Sequence, residues 1–316
     1  LTDALPPIEL AAPDITPHRR GNTGIDYVTT LAADRPGPHL VVTALMHGNE
    51  IAGAIALDQI FRMGLRPSRG RLSLVFANTA AYRAFERENP YASRFIDEDM
   101  NRVWADSLLD GPRDSLEIQR ARQLRPLYDT ADVVLDLHSM SAHTPPLTLC
   151  GRTARGRALA LRLGYPAWVV ADEGHAAGRR LIDRDAFIDP AGERTAILVE
   201  CGQHWRQETA VVALESCLRM LLVLDMVEPD AVRPRLMTRG EPQHVVEVTQ
   251  AVTVANEGFR FLEPFVGMEV IERAGTLIGW DGDIPLRTPY DRCVLIMPAR
   301  RPRPGQTAVR LGRMTG

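Results

Sequence analysis

Short apolar runs alternate with longer stretches of helical periodicity along most of the chain. The runs "HLVVTALM" (39–46), "RLSLVFANT" (71–79), "DVVLDLHS" (132–139), "PAWVVAD" (166–172) and "TAILVECG" (195–202) are β-branched and nearly continuous. That pattern predicts strands buried on both faces. Between them, "EIAGAIALDQIFRMG" (50–64) repeats apolar residues at Ile51, Ala54, Ile55, Ile60 and Phe61, a helical spacing. "SLEIQRARQLRPLYDTA" and "ARGRALALRLG" read the same way, the second closing on a C-terminal glycine. The stretch 207–228 predicts the longest and most apolar helix. Strands alternating with helices predict an α/β domain built on a mainly parallel sheet.

The pattern changes after "EPDAVRPRLMTRGEPQ" (228–243), a segment rich in proline and charge that reads as a linker. Beyond it lie short alternating segments with glycine-rich turns and no good helix. We therefore expect a large α/β domain over 1–238 and a small β domain over 239–316.

Composition narrows the function classes. The chain has 316 residues, enough for one large or two smaller domains. No apolar run approaches the roughly 20 residues needed to span a bilayer, and "LTDALPPIELAAPDITPHRR" lacks the pattern of a signal peptide. Cys150, Cys201, Cys217 and Cys293 show no metal or disulfide spacing, so free thiols in a reducing cytoplasm are expected. A net charge of -3 without a basic tail argues against nucleic acid as a partner. All 37 basic residues are arginine. Schiff-base chemistry and a phosphate-loop lysine are thereby excluded, and any fixed cation in a site is a guanidinium suited to carboxylates. Nothing in the sequence specifies a homo-oligomer, which stays open.

Sites in open parallel sheets form beyond the carboxyl ends of strands. Three predicted strands end in suitable groups: His47-Gly48-Asn49-Glu50, Asp136-Leu137-His138-Ser139 and Glu200-Cys201-Gly202-Gln203-His204. His47 and Glu50, at i and i+3, share a face if the chain is entering a helix there. Gly48 leaves room for a close approach. With His138 they make a His-Glu-His set of the kind that holds a catalytic metal. Glu200, directly after "AILV", is either a paired structural carboxylate or a general base. The block "SRFIDEDMNRVW" (93–104) is either a salt-bridged loop or a source of cations, through Arg94 and Arg102, for an oxyanion and a substrate.

HGNE, RFIDEDMNR, DLHS and VECG, in this order and spacing, resemble the aspartoacylase and succinylglutamate desuccinylase family, relatives of the zinc carboxypeptidases. The similarity covers roughly residues 39 to 230. It implies an α/β fold, a zinc-carboxypeptidase-like mixed sheet flanked by helices, with a small C-terminal all-β domain. It implies one Zn2+ per chain on His47, Glu50 and His138. Arg94 would polarise the scissile carbonyl, Asn101 and Arg102 would bind a substrate carboxylate, and Glu200 would be the base and proton donor. Asp99 would orient the neighbouring arginines. The expected activity is removal of an acyl group from an N-acyl amino acid or related small carboxylate. A metallocarboxypeptidase acting on short peptides and a non-catalytic binding protein on the same fold are the alternatives.

Two family features are missing. The family's second substrate-binding arginine has no counterpart at a suitable spacing, since neither Arg184 nor Arg194 fits. Its C-terminal tyrosine is absent from "CVLIMPARRPRPG", with Tyr290 lying earlier. Both departures argue against N-acetylaspartate as the substrate. Among the remaining histidines, His143 and His204 are pocket walls or surface groups, Trp205 is placed like His204, and His175 sits in a glycine-rich loop that is either a lid or an ordinary surface loop.

Overall fold

The computed structural model describes residues 6–237 and 242–315. The expected domain boundary at 238 and 239 lies outside the described residues. Fourteen strands are present among them: β1 Val28–Ala32, β2 His39–Ala44, β3 Arg71–Phe76, β4 Val133–Met140, β5 Leu147–Leu149, β6 Trp168–Ala171, β7 Thr195–Gln203, β8 His244–Thr253, β9 Arg260–Phe261, β10 Glu269–Ile271, β11 Leu277–Asp281, β12 Ile284–Arg287, β13 Cys293–Ile296 and β14 Thr307–Met314. The five predicted strands correspond to β2, β3, β4, β6 and β7. The helices Ile51–Arg62, Leu116–Tyr128, Ala154–Leu163 and Gln207–Val223 occupy the predicted stretches. Gly164 ends the third of these at φ +66°, a left-handed cap that glycine adopts without strain. No described helix is long and apolar enough to cross a membrane.

Eleven strands form one mixed sheet in the order β1-β3-β2-β4-β7-β5-β6-β8-β14-β13-β10. The central pairs β3/β2, β2/β4 and β4/β7 are parallel. Every residue of β2 and β4 is buried. The pleat explains how the continuous apolar runs are used. Leu40, Val42 and Ala44 pack into a core with helices Ile51–Arg62 and Gln207–Val223. Val41 and Val134 face the opposite core, which holds Trp104, Ile118, Leu124 and Tyr128.

The C-terminal β region is a continuation of this sheet. β8 pairs in parallel with β6, Trp168 opposite His244, and then carries the antiparallel run β14, β13 and β10. Val309 and Leu311 join Cys293, Leu295 and Ile278 in a small third core. The short strands β12, β11 and β9 form a separate sheet beside it.

One buried carboxylate ties the "RFIDED" loop to the body of the fold. Glu117, fully buried in the first turn of helix Leu116–Tyr128, accepts the backbone N–H groups of Ile96 (2.7 Å), Asp97 (3.1 Å) and Glu98 (3.2 Å). It also accepts from the Asn78 side chain at 3.1 Å. Four donors on one carboxylate fix the loop that holds Arg94 and Arg102. Replacing Glu117 with alanine orphans these donors together. Glu117→Ala should lower stability by roughly 3 kcal/mol, read from the urea midpoint at constant slope. An unchanged midpoint would mean that water satisfies the three amides equally well.

Candidate active site

The pleat and register of two strands assemble half of the site. On β4, Leu135 and Leu137 face the first core and Val134 the second. Asp136 and His138 therefore share the second face. On β7, Ile197, Val199 and Cys201 face the first core, and Ala196 and Leu198 the second, which sends Glu200 to that same side. The parallel register sets Asp136 opposite Leu198 and His138 opposite Glu200.

The other half comes from the turn after β2. Glu50 is the N-cap residue of helix Ile51–Arg62, and its N–H donates to the carbonyl of His47 at 3.2 Å. His47 and Glu50 meet through this turn and not across a helical face, because the helix begins only at Ile51. The space at Gly48 also has a definite use: a Cβ there would sit 2.3 Å from the Ala81 carbonyl carbon and 2.5 Å from the Ser93 oxygen. The chain's own backbone is what approaches. The Gly48 N–H donates to the Arg94 carbonyl at 3.1 Å, so the turn and the arginine loop lock together.

His47, Glu50 and His138 are buried, and one ligand atom from each lies within 4.8 Å of the others. His47 Nδ1 is 2.6 Å from Glu50 Oε1, and His138 Nδ1 is 3.0 Å from Glu50 Oε2. The opposite ring nitrogens are held by other carboxylates. His47 Nε2 lies 2.9 Å from Asp99 and His138 Nε2 lies 3.0 Å from Asp136. A carboxylate on Nε2 favours the tautomer that leaves the Nδ1 lone pair free, as a metal ligand requires. Two imidazole nitrogens and one carboxylate converging in this way fit a divalent cation of the zinc type. Asp99 was expected to orient arginines; it holds Arg94 Nη2 at 3.0 Å and a histidine as well. Asp136 is a partner of His138 that sequence reasoning left without a role, although its position two residues before His138 on a strand was the available signal.

Burial opposes charge on Glu50, but the imidazoles of His47 and His138 outweigh it and hold its pKa well below the usual range. Burial likewise opposes a charge on His138, and Asp136 with Glu50 outweighs it, raising that pKa well above normal. Glu200 behaves differently. Burial pushes its carboxyl up to about 8; Glu50 and Asp136 add to the shift, while His138 and Arg94 work against it. Its Oε2 is buried without a hydrogen-bond partner. A divalent cation beside it would draw that pKa back down.

Arg94 reaches over the cluster, with Nη1 3.5 Å from Glu50 and Nη2 3.0 Å from His47 Nε2. Asn101 is buried; its Oδ1 accepts from the Leu181 N–H at 3.0 Å and its Nδ2 lies 3.4 Å from His138 Nε2. Only the amide N–H groups of Asn101 are thus left for a ligand. Arg102 donates to the Asn101 carbonyl at 2.7 Å and stands 3.9 Å from Asp99. One pocket brings His47, Glu50, His138, Glu200, Arg94, Asn101 and Arg102 together.

The same pocket is lined by His204, His175 and Arg180. His204 is a wall residue, its Nδ1 2.8 Å from Ser139 Oγ, and burial lowers its pKa to about 4. Trp205 lies fully buried behind it and donates to the Asn49 carbonyl at 3.1 Å. His143 is exposed and outside the lining. Arg184 is buried on Asp106 and Asp129 and does not reach the pocket. Arg180, which the sequence did not single out, does line it. Its guanidinium forks onto Asp172 (2.9 and 2.6 Å) and Asp183 (2.7 and 3.0 Å).

The succinylglutamate desuccinylase/aspartoacylase catalytic domain matches residues 36–221. A probable aspartoacylase of Parasynechococcus marenigrum is 35% identical over 144 residues, which cover 41% of this chain and 45% of that protein. The match therefore spans less than half the length of that curated relative. A solved succinylglutamate desuccinylase of Vibrio parahaemolyticus superposes with a TM-score of 0.70 at 17% identity, covering 92% of this chain and 87% of that one. A succinylglutamate desuccinylase/aspartoacylase structure from Rhodobacter sphaeroides gives 0.65 at 19% identity, covering 92% and 89%. At such identities the structures establish a shared fold, and the domain match adds the lineage: the chain belongs to the succinylglutamate desuccinylase/aspartoacylase family.

Proposed function

We propose that this protein is a zinc-dependent amidohydrolase that removes the acyl group from an N-acyl amino acid or related small carboxylate. The observation that carries this reading is the convergence of His47 Nδ1, His138 Nδ1 and the Glu50 carboxylate, with Glu200 opposite His138 in the adjacent strand. His47, Glu50 and His138 would hold one Zn2+. When bound, the ion supplies Lewis acidity toward water and toward an amide carbonyl.

Each remaining role belongs to a side chain. Asp99 and Asp136 fix the tautomer and direction of the two imidazoles. Glu200 takes a proton from the attacking water and returns it to the leaving nitrogen. A carboxyl group whose pKa is shifted toward neutrality performs both transfers. Arg94 donates to the oxygen that gains charge as the carbonyl becomes tetrahedral. Arg102, with the free amide of Asn101, binds a substrate carboxylate. The 1–238 and 239–316 division assigns the chemistry to the first segment and part of the pocket wall to the second.

A panel of N-acyl amino acids and dipeptides tests the reaction class. Hydrolysis of the former, abolished by chelator and restored by zinc, is the expected result. Cleavage confined to peptides would make the protein a carboxypeptidase instead. Glu200→Gln should keep its zinc and lose about 10³-fold in kcat; wild-type turnover in that variant would remove Glu200 from the mechanism. Asp136→Asn should weaken zinc binding by about 10- to 100-fold in a competition titration with a chromophoric chelator. Equal affinity would mean that the Asp136–His138 contact serves packing alone.

A further inference from the structure

The pocket holds an imidazole, His204, that the proposed mechanism does not use. Strands β4 and β7 pair with His138 opposite Glu200 and then Met140 opposite Gln203, so β7 carries one residue more than β4 over this step. The bulge folds the chain after Glu200 back over the end of β4. The His204 N–H donates to the Met140 carbonyl at 2.9 Å, and the ring Nδ1 lies 2.8 Å from Ser139 Oγ. Tyr91 and Trp205 pack beside the ring, with centroids 6.3 and 5.3 Å away.

The groups around His204 place it at the reacting centre. Ser139, its partner, also donates its backbone N–H to Glu50 Oε2 at 3.2 Å. After burial, the groups that act on the His204 pKa are Glu50, Arg94, His47 and His138. The other histidine of the wall, His175, feels burial and then Arg102, Arg310 and Arg180. The two imidazoles therefore belong to different ends of the pocket. His175 stands among guanidiniums suited to a carboxylate, and His204 stands with Arg94 and the His-Glu-His cluster, where an amide would be cleaved.

Burial, with Arg94 and the two neighbouring imidazoles, keeps the His204 ring neutral near pH 7. A neutral imidazole carries one N–H. Ser139 is buried, and among the described residues its hydroxyl has no acceptor other than His204 Nδ1. Donation to Nδ1 satisfies that hydroxyl and leaves the ring's own proton on Nε2. Nε2 has no partner among the described residues, although the ring lines the pocket. A fixed, uncharged donor in a partly desolvated site suits an oxygen that gains charge, because it stabilises the anion without giving up its proton.

Resting on the deacylase reading above, we propose that His204 is a further catalytic residue: its Nε2–H donates, beside Arg94, to the oxygen that turns negative as the scissile carbonyl becomes tetrahedral. Ser139 is the positioning residue that holds the ring in this tautomer. In the addition step the water oxygen bonds to the carbonyl carbon, its proton passes to Glu200, and the π pair moves onto the carbonyl oxygen. His204 hydrogen-bonds that oxygen and transfers no proton. The carbonyl then re-forms, the C–N pair leaves with the nitrogen, and Glu200 returns the proton to it.

The test uses the full-length, zinc-loaded protein and the N-acetyl amino acid that it hydrolyses fastest. Replacing the acetyl group of that compound by a methylphosphonyl group presents a tetrahedral, negatively charged centre, whose affinity is measured by calorimetry. His204→Leu should lower kcat by about 10²-fold with KM within about threefold, and should weaken the phosphonyl compound by a similar factor. His204→Gln, which keeps an N–H near the place of Nε2, should recover part of both losses. Ser139→Ala, which releases the tautomer, should show smaller losses of both. Zinc content is measured in each variant. Unchanged kcat in His204→Leu, a rise in KM alone, an unchanged affinity for the phosphonyl compound, or a loss that follows loss of zinc would overturn the assignment. If His204→Leu does not fold, Ser139→Ala decides: wild-type kcat and phosphonyl affinity in that variant also overturn it. Undiminished hydrolysis in the variants removes His204 from the mechanism and leaves the deacylase reading standing. Failure of the wild-type protein to hydrolyse any N-acyl amino acid refutes that reading, and the assignment of His204 falls with it.

Discussion

The site depends on the pleat of two neighbouring strands. β4 and β7 must send Leu135, Leu137, Ile197 and Val199 into one core and Val134, Ala196 and Leu198 into the other. Once the apolar residues have chosen their sides, Asp136, His138 and Glu200 have no freedom left. A slip of one residue in either strand would turn its polar groups into the core packed by helices Ile51–Arg62 and Gln207–Val223. The hydrophobic effect that orders the sheet thus also positions the histidine and the carboxylate, at no separate cost in backbone order.

Electrostatics then separates three carboxylates that lie close together. Glu50 stands between two imidazoles and is held ionised. Asp99 is likewise kept well below the usual range: burial resists its charge, but His47, Arg94 and Arg102 prevail. Glu200, acted on by the same groups, has a buried oxygen without a partner and is shifted the other way, because burial outweighs the pull of His138 and Arg94. Neighbouring groups with opposed shifts are a common mark of acid–base work. Because every fixed cation here is arginine, none loses its charge near neutral pH.

Much of this was legible in the residues. Buried parallel strands and their helices follow from apolar runs whose period leaves little choice. His47, Glu50, His138 and Glu200 stand at strand ends, where polar groups are conspicuous against their apolar neighbours. What escaped has physical reasons. β5 has three residues and β1 pairs on an edge, so neither makes a strong pattern. Asp136 was visible, but its bond to His138 is a matter of pleat parity. Glu117 lies on a helix that reads as amphipathic, and only the fold reveals three loop amides converging on it. The continuity of the sheet through β6 and β8 joins segments more than seventy residues apart, beyond the reach of local periodicity.

That continuity has a consequence for the order in which the protein becomes itself. His47, Glu50 and His138, which could hold a metal, and Glu200 all precede the strands β8, β13 and β14, and the sheet that carries them can begin to form while those strands are still being made. The far wall of the pocket, with Met297 and Arg310, can be added only after synthesis has passed β14 and the chain has returned to pair beside β8. An emerging chain would therefore possess its ligand set before it possesses its complete pocket. The residues that could hold a metal and the far wall of the pocket would thus be completed at different stages of synthesis.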